Sequence, residues 1–310
     1  MIIYLVIPCY NEEACIKETV KCLKSKLSTL IRSKKISPKS KIVLVDDGSK
    51  DKTWEIIEKL DSQIVGIKLS KNQGHQNALL AGLMYAKNYC DAAISMDADL
   101  QDDINAIDEF INKFENGAEI VYGVRTERKK DSFFKRTTAL AFYKIMNKLG
   151  ANTIYNHADY RLMSKRTLEE LSNFNEINLF LRGIVPLIGF KTATVKYKRA
   201  ERFAGESKYP IKKMISFAVD GITSFTVKPI HLIFFLGLIN SIISFIILLY
   251  ALIIKFTGQA ISGWTFTICS IWLLGGIQMI ALGVIGEYIG KIYSEVKNRP
   301  RYIIEKIKKS

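Results

Sequence analysis

The chain has 310 residues, 45 of them Lys or Arg and 30 Asp or Glu, for a formal net charge of +15. That length allows one large domain or two smaller ones with an ample core, and that charge points to an anionic partner: nucleic acid, lipid headgroups or a phosphorylated substrate. Its cysteines, Cys9, Cys15, Cys22, Cys90 and Cys269, are odd in number and lack Cys-x-x-Cys spacing, which argues against a disulfide framework or a zinc site and fits a reducing compartment.

Ile2 to Ile7 is a continuous apolar run that reads as a buried parallel strand. It meets polar Tyr10-Asn11-Glu12 too early for a signal peptide. Pro8 to Glu13 then forms a loop into a helix, with Asn11 as the expected N-cap. Ile16, Val20, Leu23, Leu27, Leu30 and Ile31 mark its apolar face. Ile42 to Val45 is the second strand, running into Asp46-Asp47-Gly48-Ser49-Lys50-Asp51-Lys52-Thr53. Gly48 suits a tight turn there, and Asp51 or Thr53 can cap a helix starting near Trp54. Ile64 to Leu69 is a third strand, followed by Asn72 to Ala78 and a helical run from Leu79 to Ala86.

The stretch from Ala92 to Asp102 begins as an apolar strand and ends in carboxylates. Asp97 and Asp99 are two apart, so on an extended chain they share a side. Two such carboxylates repel unless a cation lies between them, and oxygen ligands favour a hard divalent ion, Mg²⁺ or Mn²⁺. A helix around Ile104 to Phe114 and a strand from Ala118 to Val124 complete a β-α repeat. This order predicts an α/β sheet with right-handed crossovers and a site beyond the strands' C-terminal ends. No Gly-x-Gly-x-x-Gly or P-loop pattern is present, so dehydrogenase and P-loop NTPase readings lack their motifs.

Four segments together resemble the family-2 glycosyltransferases of the GT-A fold: Pro8 to Glu12, Asp46 to Thr53, Asn72 to Ala78, and Asp97-Ala98-Asp99-Leu100-Gln101-Asp102. More narrowly they are similar to the polyprenyl-phosphate glycosyltransferases, the bactoprenol glucosyltransferases and dolichyl-phosphate mannosyltransferase among them. The resemblance implies a Rossmann-like, mostly parallel sheet that binds a nucleotide sugar. It puts Pro8, Tyr10, Glu12 and Asp47 in the nucleoside pocket, Asp97 at the ribose and diphosphate, and Asp99 on the metal with Asp97 beside it. Gln101 joins the donor contacts. Where the family often has Pro after Asp102, this chain has Asp103-Ile104, which changes the local loop.

Arg125 to Lys130 is either a solvated basic turn or, as in the family, a source of phosphate contacts from Arg125 and Arg128. Phe133 to Leu149 reads as a helix able to rest on a membrane. Asp159, in Asn156 to Ser164, matches the carboxylate proposed as base in related enzymes; His157 reads better as a structural or solvent-facing residue than as a metal ligand. Phe180-Leu181-Arg182-Gly183 matches a family segment near the acceptor. The Gln-x-x-Arg-Trp motif of the processive synthases is missing, which favours single-sugar transfer. In Arg199 to Pro210, Arg202, Ser207, Lys208 and Tyr209 supply phosphate donors, and the resemblance lays this loop over the diphosphate and lipid phosphate, with Arg202 and Lys208 on the acceptor.

The expected organisation is a catalytic domain over 1–210, an amphipathic interface helix over 211–229, two transmembrane helices within 230–290, and a basic, surface-bound tail over 291–310. Leu232 to Ile254 and Trp264 to Gly286 are each 23 residues without a charge, long enough to span a bilayer. The surplus of Lys and Arg flanking the pair predicts cytoplasmic termini and an inner-membrane protein. No DNA or RNA recognition motif appears, and membrane headgroups account for much of the charge. The implied reaction moves one sugar, from UDP-glucose in the first instance, to undecaprenyl phosphate. The implied assembly is a homo-oligomer, a tetramer among the options. A channel or a membrane-bound, non-catalytic nucleotide-sugar sensor are the alternatives.

Overall fold

The computed structural model describes residues 1–126, 157–177, 179–198 and 263–309, together with helical residues 230, 233–239, 242–243 and 246. Two compact units result, one comprising Met1–Asn147, Asn152–Pro210 and Arg299–Ser310, the other Lys148–Ala151 and Ile211–Asn298. The basic loop beyond Thr126, the helix expected over 133–149, the loop over 199–210, the interface helix over 211–229 and most of the first apolar span lie outside the described residues.

The first unit is built on the apolar runs. Strands β1 (Ile3–Cys9), β2 (Lys41–Asp46), β3 (Ile64–Leu69) and β4 (Ala92–Ser95) alternate with helices α1 (Ile16–Arg32), α2 (Thr53–Glu58), α3 (His75–Ala86) and α4 (Ala106–Glu115). Every residue of β1 and β4 is buried, as covering a parallel sheet on both faces requires. The apolar stripe of α1 is buried as expected, through Ile16, Val20, Leu23, Leu27 and Leu30. Its start differs: α1 begins at Ile16 without a side-chain cap, and Asn11, at φ 54°, instead accepts a bond from the Lys50 N–H at 2.9 Å. At α2 the cap position is Lys52, with no side-chain cap bond, so neither Asp51 nor Thr53 caps it as expected; Asp51 Oδ1 instead accepts from the Thr53 N–H at 2.9 Å in the turn just before.

After β5 (Ile120–Arg125) the winding changes. β6 (His157–Ser164) leads through α5 (Lys165–Leu171) and α6 (Leu181–Leu187) to β7 (Thr192–Tyr197). The sheet order is β7-β5-β6-β4-β1-β2-β3-β8. β6 lies antiparallel between β4 and β5, so β5 is not β4's neighbour as a simple parallel repeat would have it. Asp159 and Arg161 interrupt what would otherwise be a continuous apolar strand. On the alternate positions Tyr160 and Leu162 join the core, with Tyr160 edge-on to Phe110 of α4 at 4.6 Å.

The C-terminal residues correct a second expectation. Instead of a separate surface-bound tail, β8 (Ile304–Lys308) pairs antiparallel with β3 at the sheet edge. Lys306 pairs with Glu58, Lys68 with Glu305 at 2.9 Å, and Arg301 donates to the Phe174 carbonyl at 2.8 Å. The lysines that suggested a surface-bound tail therefore decorate an edge strand, where charge also discourages further pairing.

In the second unit α7 (Trp264–Val296) runs for 33 residues, about 50 Å at helical rise. Many of its described apolar side chains are exposed in this single chain, Ile271 at 63%, Met279 at 70% and Ile280 at 69% among them, with Leu274, Ala281 and Val284 partly covered. Among the described residues no helix is long and apolar enough to cross a membrane; the side chains at 264–266, 268–269 and 272–273, in the charge-free half of α7, lie outside them.

Gly48 controls how the loops at the sheet edge meet. It has φ +65°, and a Cβ there would sit 2.6 Å from both the Asn72 nitrogen and the Lys71 carbonyl carbon. Gly48→Ala combines a left-handed backbone costing about 1–2 kcal/mol with a backbone clash. The full-length variant is therefore expected to unfold at a lower temperature than the wild type by at least several degrees, as measured by thermal denaturation in detergent.

Candidate active site

The parallel strands deliver their C-terminal loops to one edge. β6 runs the other way, so its first residues arrive at that same edge. Ser95, at the end of β4, donates to the Asp159 carbonyl at 2.5 Å and pairs in register with Arg161. In this way one antiparallel strand brings Asp159 to the carboxylates that follow β4.

The first two loops are braced against each other. The Asn11 N–H donates to Ser49 Oγ at 2.9 Å, Glu12 N–H to Thr53 Oγ1 at 2.8 Å and Glu13 N–H to Asp51 Oδ2 at 3.1 Å. Pro8 is buried at the end of β1, while Tyr10 is 40% exposed and open to a ligand. Glu12 is half-buried, and its Oε2 accepts from Cys15 Sγ at 2.8 Å. Burial and Glu12 push the Cys15 thiol up to about 12, so it is no nucleophile.

Asp47 takes an internal role. It is buried, and its two oxygens accept the Gln73 N–H at 2.7 Å and the Gly74 N–H at 3.0 Å. It thereby holds the loop before α3, whose Gly74 has φ +88°. Burial raises its carboxyl pKa, with those two N–H groups opposing. Sequence reasoning put Asp47 on the nucleoside; in the structure it is buried and bonds the backbone of the loop before α3.

The carboxylate cluster follows β4. Asp97 and Asp99 are both partly exposed, and Asp99 Oδ1 accepts from the Gln101 N–H at 3.2 Å. Leu100, at φ 55°, turns the chain between them. Thr19 of α1 pins the loop by donating to the Ala98 carbonyl at 2.7 Å. Burial, opposed by His75 and reinforced by Asp102, Asp159 and Asp99, pushes Asp97 up to about 6. Among the described residues no three His, Cys, Asp or Glu side chains are grouped to hold a metal by themselves. A carboxylate pair with this excess of negative charge fits Mg²⁺ or Mn²⁺, which commonly take one or two protein carboxylates and complete their shell with water and substrate phosphates.

Arg125 and Asp102 meet behind that loop. Asp102 is buried and accepts from the Tyr197 hydroxyl at 2.6 Å. Arg125 Nε donates to the same hydroxyl at 3.1 Å, and its Nη2 lies 3.6 Å from Asp102. This triangle ties the ends of β5 and β7 to the Asp97 loop; the sequence reading named neither Tyr197 nor the strand that carries it.

Asp159 has the densest set of partners. Arg161 Nη2 donates to Oδ1 at 2.5 Å, Arg182 Nε to Oδ1 at 3.2 Å and Arg182 Nη2 to Oδ2 at 2.9 Å. Gln76 Nε2 donates to Oδ2 at 3.3 Å, and its Oε1 accepts the Leu181 N–H at 3.2 Å. His75 Nε2 stands 3.6 Å from Asp97 and 3.8 Å from Asp159, between the two carboxylates. Burial would raise the Asp159 carboxyl, but Arg182 and Arg161 outweigh it and hold it far below the usual carboxylate range.

Thus Asp97, Asp99, Gln101, Arg125 and Asp159 collect at one edge beside the Tyr10–Glu12 loop, whereas Arg202, Ser207, Lys208 and Tyr209 lie outside the described residues. His75, Gln76, Arg161 and Tyr197 had not been assigned roles. His75 and Gln76 fall inside the motif from Asn72 to Ala78, which was the available signal.

The model of glycosyl transferase family 2 matches residues 4–172. The chain belongs to glycosyl transferase family 2. It is 56% identical to "Uncharacterized glycosyltransferase YkoT" of Bacillus subtilis, over 98% of this chain and 91% of that protein. It is 41% identical to "SfII prophage-derived bactoprenol glucosyl transferase" of Shigella flexneri, over 99% of this chain and 98% of that one. Among solved structures it is similar to glucosyl-3-phosphoglycerate synthase of Mycobacterium tuberculosis, solved with Mn²⁺, UDP-glucose and phosphoglyceric acid, with a TM-score of 0.45 and 16% identity over 72% of this chain and 77% of that one. This chain is therefore a glycosyltransferase with an α/β GT-A-like fold.

Asp47→Asn would set an amide NH₂ against one of two backbone N–H groups, at a cost of about 1–3 kcal/mol for the lost acceptor. Glycosyltransferase protein carrying this change is expected to lose both thermal stability and nucleotide-sugar affinity, measured by melting and calorimetric titration.

Proposed function

We propose that this glycosyltransferase moves one sugar from a nucleoside-diphosphate sugar to a polyprenyl phosphate at a membrane, with inversion at the anomeric carbon. The observation that carries the reading is the division of charge at the sheet edge. Asp97 and Asp99 form a partly exposed carboxylate pair suited to a cation, whereas Asp159 is matched by two guanidinium groups. The relatives named bactoprenol glucosyl transferase support the lipid acceptor and glucose as the sugar; UDP-glucose is the proposed donor. GDP-mannose, UDP-N-acetylglucosamine or a UDP-aminoarabinose derivative would serve the same chemistry.

Membrane insertion of a hairpin over 230–290 is part of this proposal. It is supported by two charge-free runs and by exposed apolar residues along α7, since a helix apolar all round needs an apolar surrounding. Flanking Lys and Arg favour cytoplasmic termini and an inner-membrane location. A homo-oligomer, a tetramer included, is the proposed assembly.

In this scheme Tyr10 and Glu12 contact the nucleoside, with Pro8 and Asp47 shaping the pocket behind them. Mg²⁺ or Mn²⁺ held by Asp99 and Asp97, when bound, supplies positive charge to the leaving diphosphate. Gln101, Arg125, Ser207 and Tyr209 contribute on the donor side. Arg202 and Lys208 draw the acceptor phosphate close against the repulsion between two anions. A phosphate oxygen attacks the anomeric carbon, and the bond to the diphosphate breaks with its electron pair on the leaving oxygen. Asp159, with its charge matched, orients this side of the site.

The test offers purified protein in lipid undecaprenyl phosphate, Mg²⁺ and a panel of nucleotide sugars. Nucleoside-diphosphate release matched by new lipid-linked sugar is the expected result and names the donor. Donor binding without product, across the panel, would favour the sensor. Asp99→Ala is expected to abolish turnover in a protein that still melts cooperatively; near-normal activity would remove the metal assignment.

The pH profile follows from the same geometry. A phosphate monoester loses its second proton near a pH of about 6, so acceptor kcat/KM should fall as pH drops through that value and level off above it. Asp159, held far below the usual range, stays ionised throughout and adds no inflection near neutrality. A further inflection that disappears in Asp159→Asn would contradict this.

A further inference from the structure

His75 is held in place from both directions along the chain. Before it, the buried Asp47 carboxylate accepts the Gln73 and Gly74 N–H groups at 2.7 and 3.0 Å, and Gly74 turns the backbone at φ +88°. After it, Gln76 bonds Asp159 at 3.3 Å and the Leu181 N–H at 3.2 Å. The imidazole between these anchors makes no hydrogen bond among the described residues. Its Nε2 stands 3.6 Å from Asp97 Oδ1 and 3.8 Å from Asp159 Oδ2, and its side chain is 44% exposed. Both separations exceed a direct bond. A polar ring fixed by its neighbours, left without a bond and open to solvent is placed for a ligand.

The surroundings select the ligand group. Two polar atoms 3.6 Å apart, as Nε2 and Asp97 Oδ1 are, can share one oxygen lying off the line between them at about 2.8 Å from each. An ionised carboxylate only accepts, so that oxygen must carry a hydrogen to bond Asp97. A phosphate oxygen without a proton would instead be pressed against like charge. A neutral hydroxyl fits, since it donates to the carboxylate while its lone pairs face the imidazole. Asp97 is the available partner. The acceptor positions of Asp159 are taken by Arg161, Arg182 and Gln76, whereas Asp97 has no hydrogen bond among the described residues, and a carboxylate has a second oxygen for the cation. With the diphosphate drawn to the Asp97–Asp99 cation, the hydroxyl-bearing group beside it is the sugar that the diphosphate carries.

We propose that His75 is a specificity-determining residue for the donor: its imidazole and the Asp97 carboxylate together bracket one ring hydroxyl of the transferred sugar. The inference rests on the nucleotide-sugar donor proposed above. No covalent bond forms or breaks in this contact.

The test titrates full-chain wild type, His75→Ala and His75→Gln in lipid with Mg²⁺, using UDP, UDP-glucose and deoxy analogues of UDP-glucose that each lack one ring hydroxyl. His75→Ala is expected to weaken UDP-glucose about tenfold and UDP by less than about twofold, the scale of one lost hydrogen bond to the sugar alone. His75→Gln, which keeps a polar group at similar reach, should recover part of the loss. One deoxy analogue should bind wild type more weakly than UDP-glucose yet bind His75→Ala no more weakly, which names the hydroxyl. Equal weakening of UDP and UDP-glucose would overturn the proposal, leaving His75 only to offset the charge between Asp97 and Asp159. So would unchanged UDP-glucose affinity, or a deoxy penalty that persists in His75→Ala, as expected if a resident water occupies the position. If His75→Ala fails to fold, His75→Gln and the deoxy series decide between these outcomes. Where wild type binds another nucleotide sugar, that donor and its own nucleoside diphosphate take the place of the UDP pair. A wild type that binds none of the nucleotide sugars sinks the donor reading, and this inference with it; failure in the variants alone sinks only the inference.

Discussion

Asp97, Asp99, Asp102 and Asp159 crowd one edge of a single sheet, and the repulsion among them is the constraint to which the surrounding structure answers. Left alone, four carboxylates this near one another would take up protons or force the loops apart. The protein answers at each position differently. Asp102 is buried against Tyr197 and Arg125, and Asp159 against Arg161 and Arg182. Asp97 and Asp99 remain partly exposed, and burial, with the nearby Asp102, Asp159 and Asp99 adding to it against His75, pushes Asp97 up to about 6. An incoming cation has one obvious destination.

The same constraint explains why β6 runs against its neighbours. A parallel strand in that place would end, rather than begin, at the site edge, and Asp159 and Arg161 would fall deeper along the sheet. With β6 antiparallel, Ser95 takes the Asp159 carbonyl and Arg161 is sealed beneath it. A buried ion pair of this kind stabilises little in net terms, because desolvation offsets the attraction, but removal of one partner strands the other. Its value lies in orientation: the guanidinium that cannot reach water holds the carboxylate that must not move.

What could be read from the amino-acid order was the part governed by repetition. β1 to β4 are continuous apolar runs, each followed by a helix, and their polar C-terminal loops marked the site edge. β6 and β8 escaped because neither obeys that pattern. Asp159 and Arg161 give β6 the look of a polar loop, since their burial depends on each other and not on hydropathy. In β8 the lysines resemble a membrane-facing tail until Glu58 and the edge of β3 are placed beside them. Asp97, Asp99 and Asp159 were legible as a motif, while Arg161, Tyr197 and Gln76 were not, because each gains its role from a partner 2, 95 and 83 positions away. Asn11 shows the opposite failure: a good helix-capping residue by type, it is drawn off by the Lys50 N–H in a neighbouring loop.

The pairing at Asp159 also bears on what kind of acceptor this glycosyltransferase can use. A sugar acceptor with an alcohol as nucleophile must surrender a proton as it attacks, and the base that takes it works best with a pKa near the working pH. Asp159 is ill suited to that task. Protonating it would leave both Arg161 and Arg182 facing a neutral group, one of them with no access to solvent. A phosphate acceptor makes no such demand, being largely ionised near neutrality. It needs positive charge to bring it near a second anion. The pairing of Asp159 with Arg161 and Arg182 thus suits an acceptor that arrives already ionised better than one that must lose a proton as it attacks.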